Sequence, residues 1–124
     1  MSSEKFDQRL VEEIRIRRES GLAAGKSLEK IAQEPFDVTI ELVQLLSIPT
    51  GMPRQQALKE MQRQAEHVQA GVVDCLHALG VTEFEQITLS NSVAVTLTLD
   101  QIQEMAKRDD VKIIRLVKVE KVIS

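Results

Sequence analysis

The clearest pattern in this sequence is a continuous apolar stripe within residues 54–79. Its members recur at spacings of three or four: Leu58, Met61, Ala65, Val68, Val72, Leu76 and Leu79. This spacing is typical of an amphipathic helix that packs on a core. Pro53 suits the first position of a helix, and Gly80 followed by Val81 suits its end. The stripe therefore predicts one long helix over 54–79.

Four other segments are strand-like, with apolar and polar residues that tend to alternate. These segments are 37–46, 83–89, 93–97 and 111–117. The turn Ser90-Asn91-Ser92 separates the second from the third. After the third, Thr98 and Gln101 have the spacing of a capping box and predict a short helix to about Arg108.

The predicted elements follow one another as strand, long helix, strand, strand, short helix and strand. This βαββαβ order predicts an α+β, ferredoxin-like fold over residues 36–124, an antiparallel sheet with both helices on one face. The last strand is unusually apolar, and its side chains cannot all face one core because they alternate. The apolar residues in question are Ile113, Ile114, Leu116, Val117 and Val119. Those that do not face the core are expected to form an exposed patch or to be covered by the N-terminal arm.

Residues 1–35 are expected to form a helical N-terminal arm. A first helix over 4–19 is indicated by apolar residues at intervals of four: Phe6, Leu10 and Ile14. Ser3 is the expected N-cap and Gly21 the expected stop. A second, short helix is expected over 27–34. An arm of this length does not fold alone, so its apolar face must lie on the main domain or on a partner.

Composition narrows the class of function. The chain has three Phe, no Tyr and no Trp, and its net charge is −3, so it lacks the basic field and stacking rings of nucleic-acid binders. No apolar run has the length of a membrane span or the form of a secretory leader. Cys75 is the single cysteine, which excludes an internal disulfide. These features predict a cytoplasmic protein without nucleic-acid or membrane partners.

Residues 21–27, GLAAGKS, resemble a phosphate-binding loop. The two glycines are one residue too close for that motif, which also follows a buried strand rather than a charged helix. We interpret the segment as a hinge between the two helices of the arm.

The remaining candidates for chemistry lie on the long helix: His67, Asp74, Cys75 and His77. His67 and Asp74 share nearly one azimuth, but they are about 10 Å apart along the helix axis, too far to share a metal ion. The carboxylates that could act as acid and base flank turns, where they are usually solvated. We therefore expect no catalytic residue, no metal site and no cofactor.

Two segments in the C-terminal half carry a recognisable pattern. Residues 88–102, TLSNSVAVTLTLDQI, read as a small-residue turn, an alternating strand and a helix start of the form Thr-x-x-Gln-hydrophobic. Residues 105–114, MAKRDDVKII, read as a passage from a helix to a strand. In both segments the chain resembles the subtilisin-propeptide-like peptidase-inhibitor domains, and the resemblance extends in topology over 36–124.

The resemblance implies a mode of binding. The open face of the sheet would pack on surface helices of a subtilisin-like serine protease, through Val93, Val95, Thr96, Ile113 and Arg115. The chain after the last strand would enter the substrate cleft as an extended tail: Val119, Glu120, Lys121, Val122, Ile123 and Ser124. The family usually has an acidic residue after the last strand, where this chain has basic and apolar residues at 115–118.

Other interpretations remain open, because one fold serves many functions. The second is an assembly or adaptor module, in which the arm and a sheet edge mediate docking or a homo-oligomer through the N-terminal helix. The third is a small-molecule-sensing or RNA-binding domain of the same fold.

Overall fold

Four antiparallel strands and four helices make up residues 3–117, the part of the chain that the computed structural model describes. The helices are α1 Gln8–Ala23, α2 Leu28–Ala32, α3 Arg54–Ala78 and α4 Leu99–Ala106. The strands are β1 Pro35–Leu42, β2 Phe84–Ile87, β3 Ser92–Thr98 and β4 Val111–Leu116. The predicted α+β class with a four-stranded antiparallel sheet is confirmed. The predicted tail, 119–124, lies outside the described residues.

The strands lie side by side in the order β2-β3-β1-β4. Val38 of the central strand β1 pairs with Val95 of β3 on one side and with Leu116 of β4 on the other. Side chains alternate along a strand, so every second residue of β1 points to the same face. These residues are all buried: Phe36, Val38, Ile40 and Leu42.

Helices α3 and α4 pack on this face and complete an aliphatic core. Val72 and Leu76 of α3, and Ile102 and Met105 of α4, are fully buried in the same cluster as the β1 side chains. Burial of each such side chain contributes about 1.5–3 kcal/mol. The core therefore sits between one face of the sheet and a layer of helices.

The predicted stripe of α3 is buried only over its second half. Ala65 is buried, as are Val72 and Leu76, but Leu58 in the second turn is exposed and Met61 is half-buried. An α-helix of 25 residues is about 37 Å long, whereas the longest strand, with eight residues, spans only about 27 Å. The first turns of α3 thus extend beyond the sheet.

The start of α1 differs from the prediction. Asp7 is the N-cap, and its carboxylate accepts a hydrogen bond from the Leu10 N–H at 2.9 Å. The prediction of Ser3 as the cap is wrong, because Phe6 forms a parallel β-bridge with Ile114 of β4. That bridge keeps the first residues of the arm outside the helix.

The end of α1 also differs. Gly21 lies inside the helix, and a Cβ at this position would come within 2.6 Å of the Ile31 side chain, so the glycine permits the close approach of α2. The stop is Gly25, which has φ +79°. Its N–H donates to the Leu22 carbonyl at 3.1 Å, and the Lys26 N–H donates to the Gly21 carbonyl at 2.8 Å. Residues 21–23 therefore belong to α1, and the connection to α2 is confined to residues 24–27 rather than to the whole segment 21–27.

The arm packs on the main domain, one of the two expected locations. Leu10 is fully buried in the core cluster, and Phe6 and Ile14 pack against that cluster. The Arg17 guanidinium lies 4.0 Å from the centre of the Phe36 ring, a favourable cation–π contact. The chain therefore builds one core from both of the predicted segments.

Thr98 and Gln101 form the predicted capping box at the start of α4. The Gln101 side chain accepts from the Thr98 N–H at 3.0 Å, and the Thr98 hydroxyl accepts from the Gln101 N–H at 3.4 Å. We expect Thr98→Ala to lower the free energy of unfolding by about 1 kcal/mol, measured by urea unfolding. Thr98→Ser keeps the hydroxyl and serves as the control; equal stability of the two variants would contradict this role of the hydroxyl.

Candidate functional site

The face of the sheet opposite the helices is exposed and mostly polar. Alternation along β1 places Asp37, Thr39 and Glu41 on this open face. Thr96 of β3 lies beside Asp37, and Arg115 of β4 lies beside Thr39. The open face is therefore a continuous surface across the strands, as a docking surface requires.

Two hydrogen bonds organise the open face. The Thr96 hydroxyl donates to the Asp37 carboxylate at 2.6 Å. The Arg115 guanidinium donates to the Glu41 carboxylate at 3.1 Å. Exposed pairs of this kind contribute little stability. Their main effect is to orient the side chains that a partner would meet.

A shallow groove of about 290 Å³ crosses the open face near the start of β1. We call it the acidic groove, because it is lined by three carboxylates and no basic side chain. Its surface-exposed lining residues are Asp37, Glu83, Glu85, Thr96 and Val117. The carboxylates create a negative potential that attracts positive charge, including the positive end of a helix dipole.

The structure separates the predicted sheet-face residues into two groups. Thr96, Ile113 and Arg115 lie on the open face. The placement of Val93 and Val95 on that face is wrong, because both are buried under the helices. The cause is the register of the sheet. Val93 pairs with Ile40 and Val95 pairs with Val38, and the side chains of Ile40 and Val38 both point into the core.

No family model, no curated protein and no solved structure matches this chain.

The apolar surplus of the last strand is divided between the two faces. Ile114 is buried and Leu116 packs against the core, whereas Ile113 is half-buried on the open face. Val117 is exposed at the edge of the acidic groove. The arm pairs with the edge of β4 through the bridge between Phe6 and Ile114, and its Leu10 side chain is buried in the core on the helical side of the sheet.

The residues of α3 that were considered as possible metal ligands lie on the helical side of the sheet, away from the open face: His67, Asp74, Cys75 and His77. His77 contacts Phe84, with 5.7 Å between ring centres. Cys75 is half-buried beside Arg108, whose pKa is raised chiefly by its hydrogen bond to the Asp110 carboxylate. Within 3–117, no group of three or more His, Cys, Asp or Glu is placed to hold a metal ion.

No helix in the same range is long and apolar enough to cross a membrane.

Sequence reasoning missed the acidic groove. Glu83 and Glu85 are among the carboxylates that the sequence pattern places beside turns and predicts to be only solvated, whereas Glu85 lies within β2. The sequence feature that could have indicated the groove is the spacing of two between these glutamates, on either side of Phe84. Because the Phe84 side chain packs on the core, alternation turns Glu85 to the open face. Their proximity to Asp37 depends on the strand order, which the local pattern does not contain.

Proposed function

We propose that this protein is a non-catalytic protein-binding module that binds and inhibits a subtilisin-like serine protease through its open face and C-terminal tail. The strand order β2-β3-β1-β4, with α3 and α4 packed on one face, supports a ferredoxin-like βαββαβ assignment. That is the fold which the resemblance of residues 36–124 implies. The single cysteine, Cys75, supports a cytoplasmic location and hence a cytoplasmic partner.

The acidic groove carries this proposal. In the implied mode of binding, surface helices of the protease pack on the open face. A helix N-terminus carries about half a positive charge, which a nearby carboxylate stabilises. The family's usual acidic residue after the last strand is missing here, but Asp37, Glu83 and Glu85 supply negative charge from β1 and the start of β2. The groove thus offers the same electrostatic contact from different positions.

The exit of the chain supports the proposed role of the tail. The Val117 N–H donates to the Asp37 carbonyl at 2.8 Å, so the last described residue lies beside the acidic groove. The following residues, 118–124, would span about 23 Å when fully extended. A protease helix at the groove and a cleft within that distance could therefore be contacted together.

An inhibition assay with subtilisin and with a purified cytoplasmic subtilisin-like protease, each with a chromogenic peptide substrate, tests the proposal. We expect the full chain to inhibit hydrolysis competitively. Deletion of 119–124 should abolish inhibition and leave binding to the open face detectable. Glu85→Lys should weaken binding at least tenfold because it reverses a charge in the groove. Glu66→Lys is the matched control on the exposed surface of α3. Full-length protein that neither binds nor inhibits either protease would contradict the proposal.

An assembly or adaptor function is the second candidate, favoured by the side chains of α1 that its packing leaves exposed. Val11 and Ile16 remain exposed although Leu10 is buried. Deletion of the arm is not a clean test, because it would also remove Leu10 from the core. Val11→Asp is a better one: it should reduce association through the N-terminal helix and leave subtilisin inhibition unchanged.

A further inference from the structure

A hollow of about 240 Å³ lies between α1 and the start of α4, and we call it the α1–α4 hollow. Four of its lining residues are apolar: Phe6, Val11, Ile14 and Leu99. Leu99 belongs to the buried core cluster, and Phe6 and Ile14 pack against that cluster, so the hollow opens onto the edge of the core. Val11, which is 44% exposed, completes the apolar wall at the surface.

The polar residues of the α1–α4 hollow carry positive charge and no negative charge: Arg15, Arg18 and Gln103. The Arg15 guanidinium is already paired with the Glu12 and Glu19 carboxylates, at 2.8 and 3.2 Å. Arg18 is exposed, and within residues 3–117 no hydrogen bond or ion pair involves its guanidinium. The hollow therefore places one uncompensated cation beside an apolar wall.

We propose that the α1–α4 hollow binds an aliphatic monocarboxylate, a medium-chain fatty acid, with its hydrocarbon chain on the apolar wall and its carboxylate on Arg18. A guanidinium donates two parallel hydrogen bonds to a carboxylate, and burial of the chain removes apolar surface from water. At about 30 Å³ per water-sized group, the hollow has room for about eight such groups, which suits a chain of about eight carbons.

Both chemical features of the hollow are needed to select this ligand. A neutral hydrocarbon would cover the apolar wall and leave Arg18 without a partner. A small inorganic anion would pair with Arg18 and leave the apolar wall in contact with water. An aliphatic carboxylate satisfies both surfaces at once, as charge complementarity beside an apolar contact requires. The lining residues lie outside the acidic groove, so this binding does not depend on protease inhibition.

Titration of the isotope-labelled full chain with sodium octanoate, followed by NMR of the backbone amides, tests the proposal. We expect a dissociation constant below about 1 mM, with the largest shifts in α1 and at the start of α4. Octanol, which has the same chain without the carboxylate, should bind about tenfold more weakly. Arg18→Gln should weaken octanoate binding by a similar factor. Arg9→Gln is the matched control, because Arg9 is exposed on the same helix but does not line the hollow.

Three outcomes overturn the proposal. The first is the absence of shifts in α1 and α4 at about 5 mM octanoate, well above the expected dissociation constant. The second is equal binding of octanol and octanoate, and the third is octanoate binding that Arg18→Gln leaves unchanged. Protease inhibition by Arg18→Gln should equal that of the wild type, so failure of this proposal and failure of protease binding are separate results.

Discussion

Replacing Gln69 with leucine is expected to lower the free energy of unfolding by about 3 kcal/mol. Gln69 lies on the buried side of α3 and is fully buried, and its amide nitrogen donates to the Asn91 side chain at 3.0 Å and to the Ile87 carbonyl at 3.3 Å. Its amide oxygen accepts from Gln86 at 3.1 Å. Leucine would leave these groups without their partner, and each buried polar group left unpaired costs about 1–3 kcal/mol.

Urea unfolding followed by far-ultraviolet circular dichroism measures this effect. Gln62→Leu is the matched control, because Gln62 is exposed on the same helix and its replacement should change stability by less than about 0.5 kcal/mol. Equal stability of the two variants would show that the buried network is unimportant. Asn91 also holds the Gln44 carbonyl, so Gln69→Leu should increase hydrogen exchange in the loop after β1.

Leu10→Ala should cost a similar amount, about 3 kcal/mol. Leu10 is fully buried in the same cluster as the sheet residues, and truncation of a buried leucine to alanine removes apolar contacts and leaves a cavity. Because the arm and the sheet share this core, we expect one cooperative transition that moves to lower urea concentration.

The control for this substitution lies on the same helix. Leu22 is 51% exposed, so Leu22→Ala should change the free energy of unfolding by less than about 0.5 kcal/mol. If Leu10→Ala removed only part of the helical signal and left the main transition in place, the arm would be a separate folding unit. That result would contradict the single core described above.

Local patterns predicted most of the secondary structure. The stripe of α3 and the capping box of α4 depend on residues within a few positions of one another, and both predicted helices are present. The end of α3 at Gly80, with its left-handed φ of +81°, follows from the same short-range chemistry. Period-two alternation likewise predicted β1, although the strand ends at Leu42 rather than at residue 46.

The errors arose where distant residues compete with local preference. Ser3 is a suitable cap, but the bridge between Phe6 and Ile114 moves the start of α1 to Asp7. Gly21 resembles a helix stop, but the packing of Ile31 places it inside the helix. In each case a tertiary contact decides which of two locally acceptable positions is used.

The open face could be predicted from the amino-acid sequence only in part. It predicted a sheet with one face free of helices, yet it could not assign Val93 and Val95 to the core, because alternation does not say which of two sets faces the helices. The pairing of β1 with β3 made that choice and brought Asp37 next to Thr96. Strand order and helix placement depend on burial summed over the whole chain, so the acidic groove could not be predicted from local patterns.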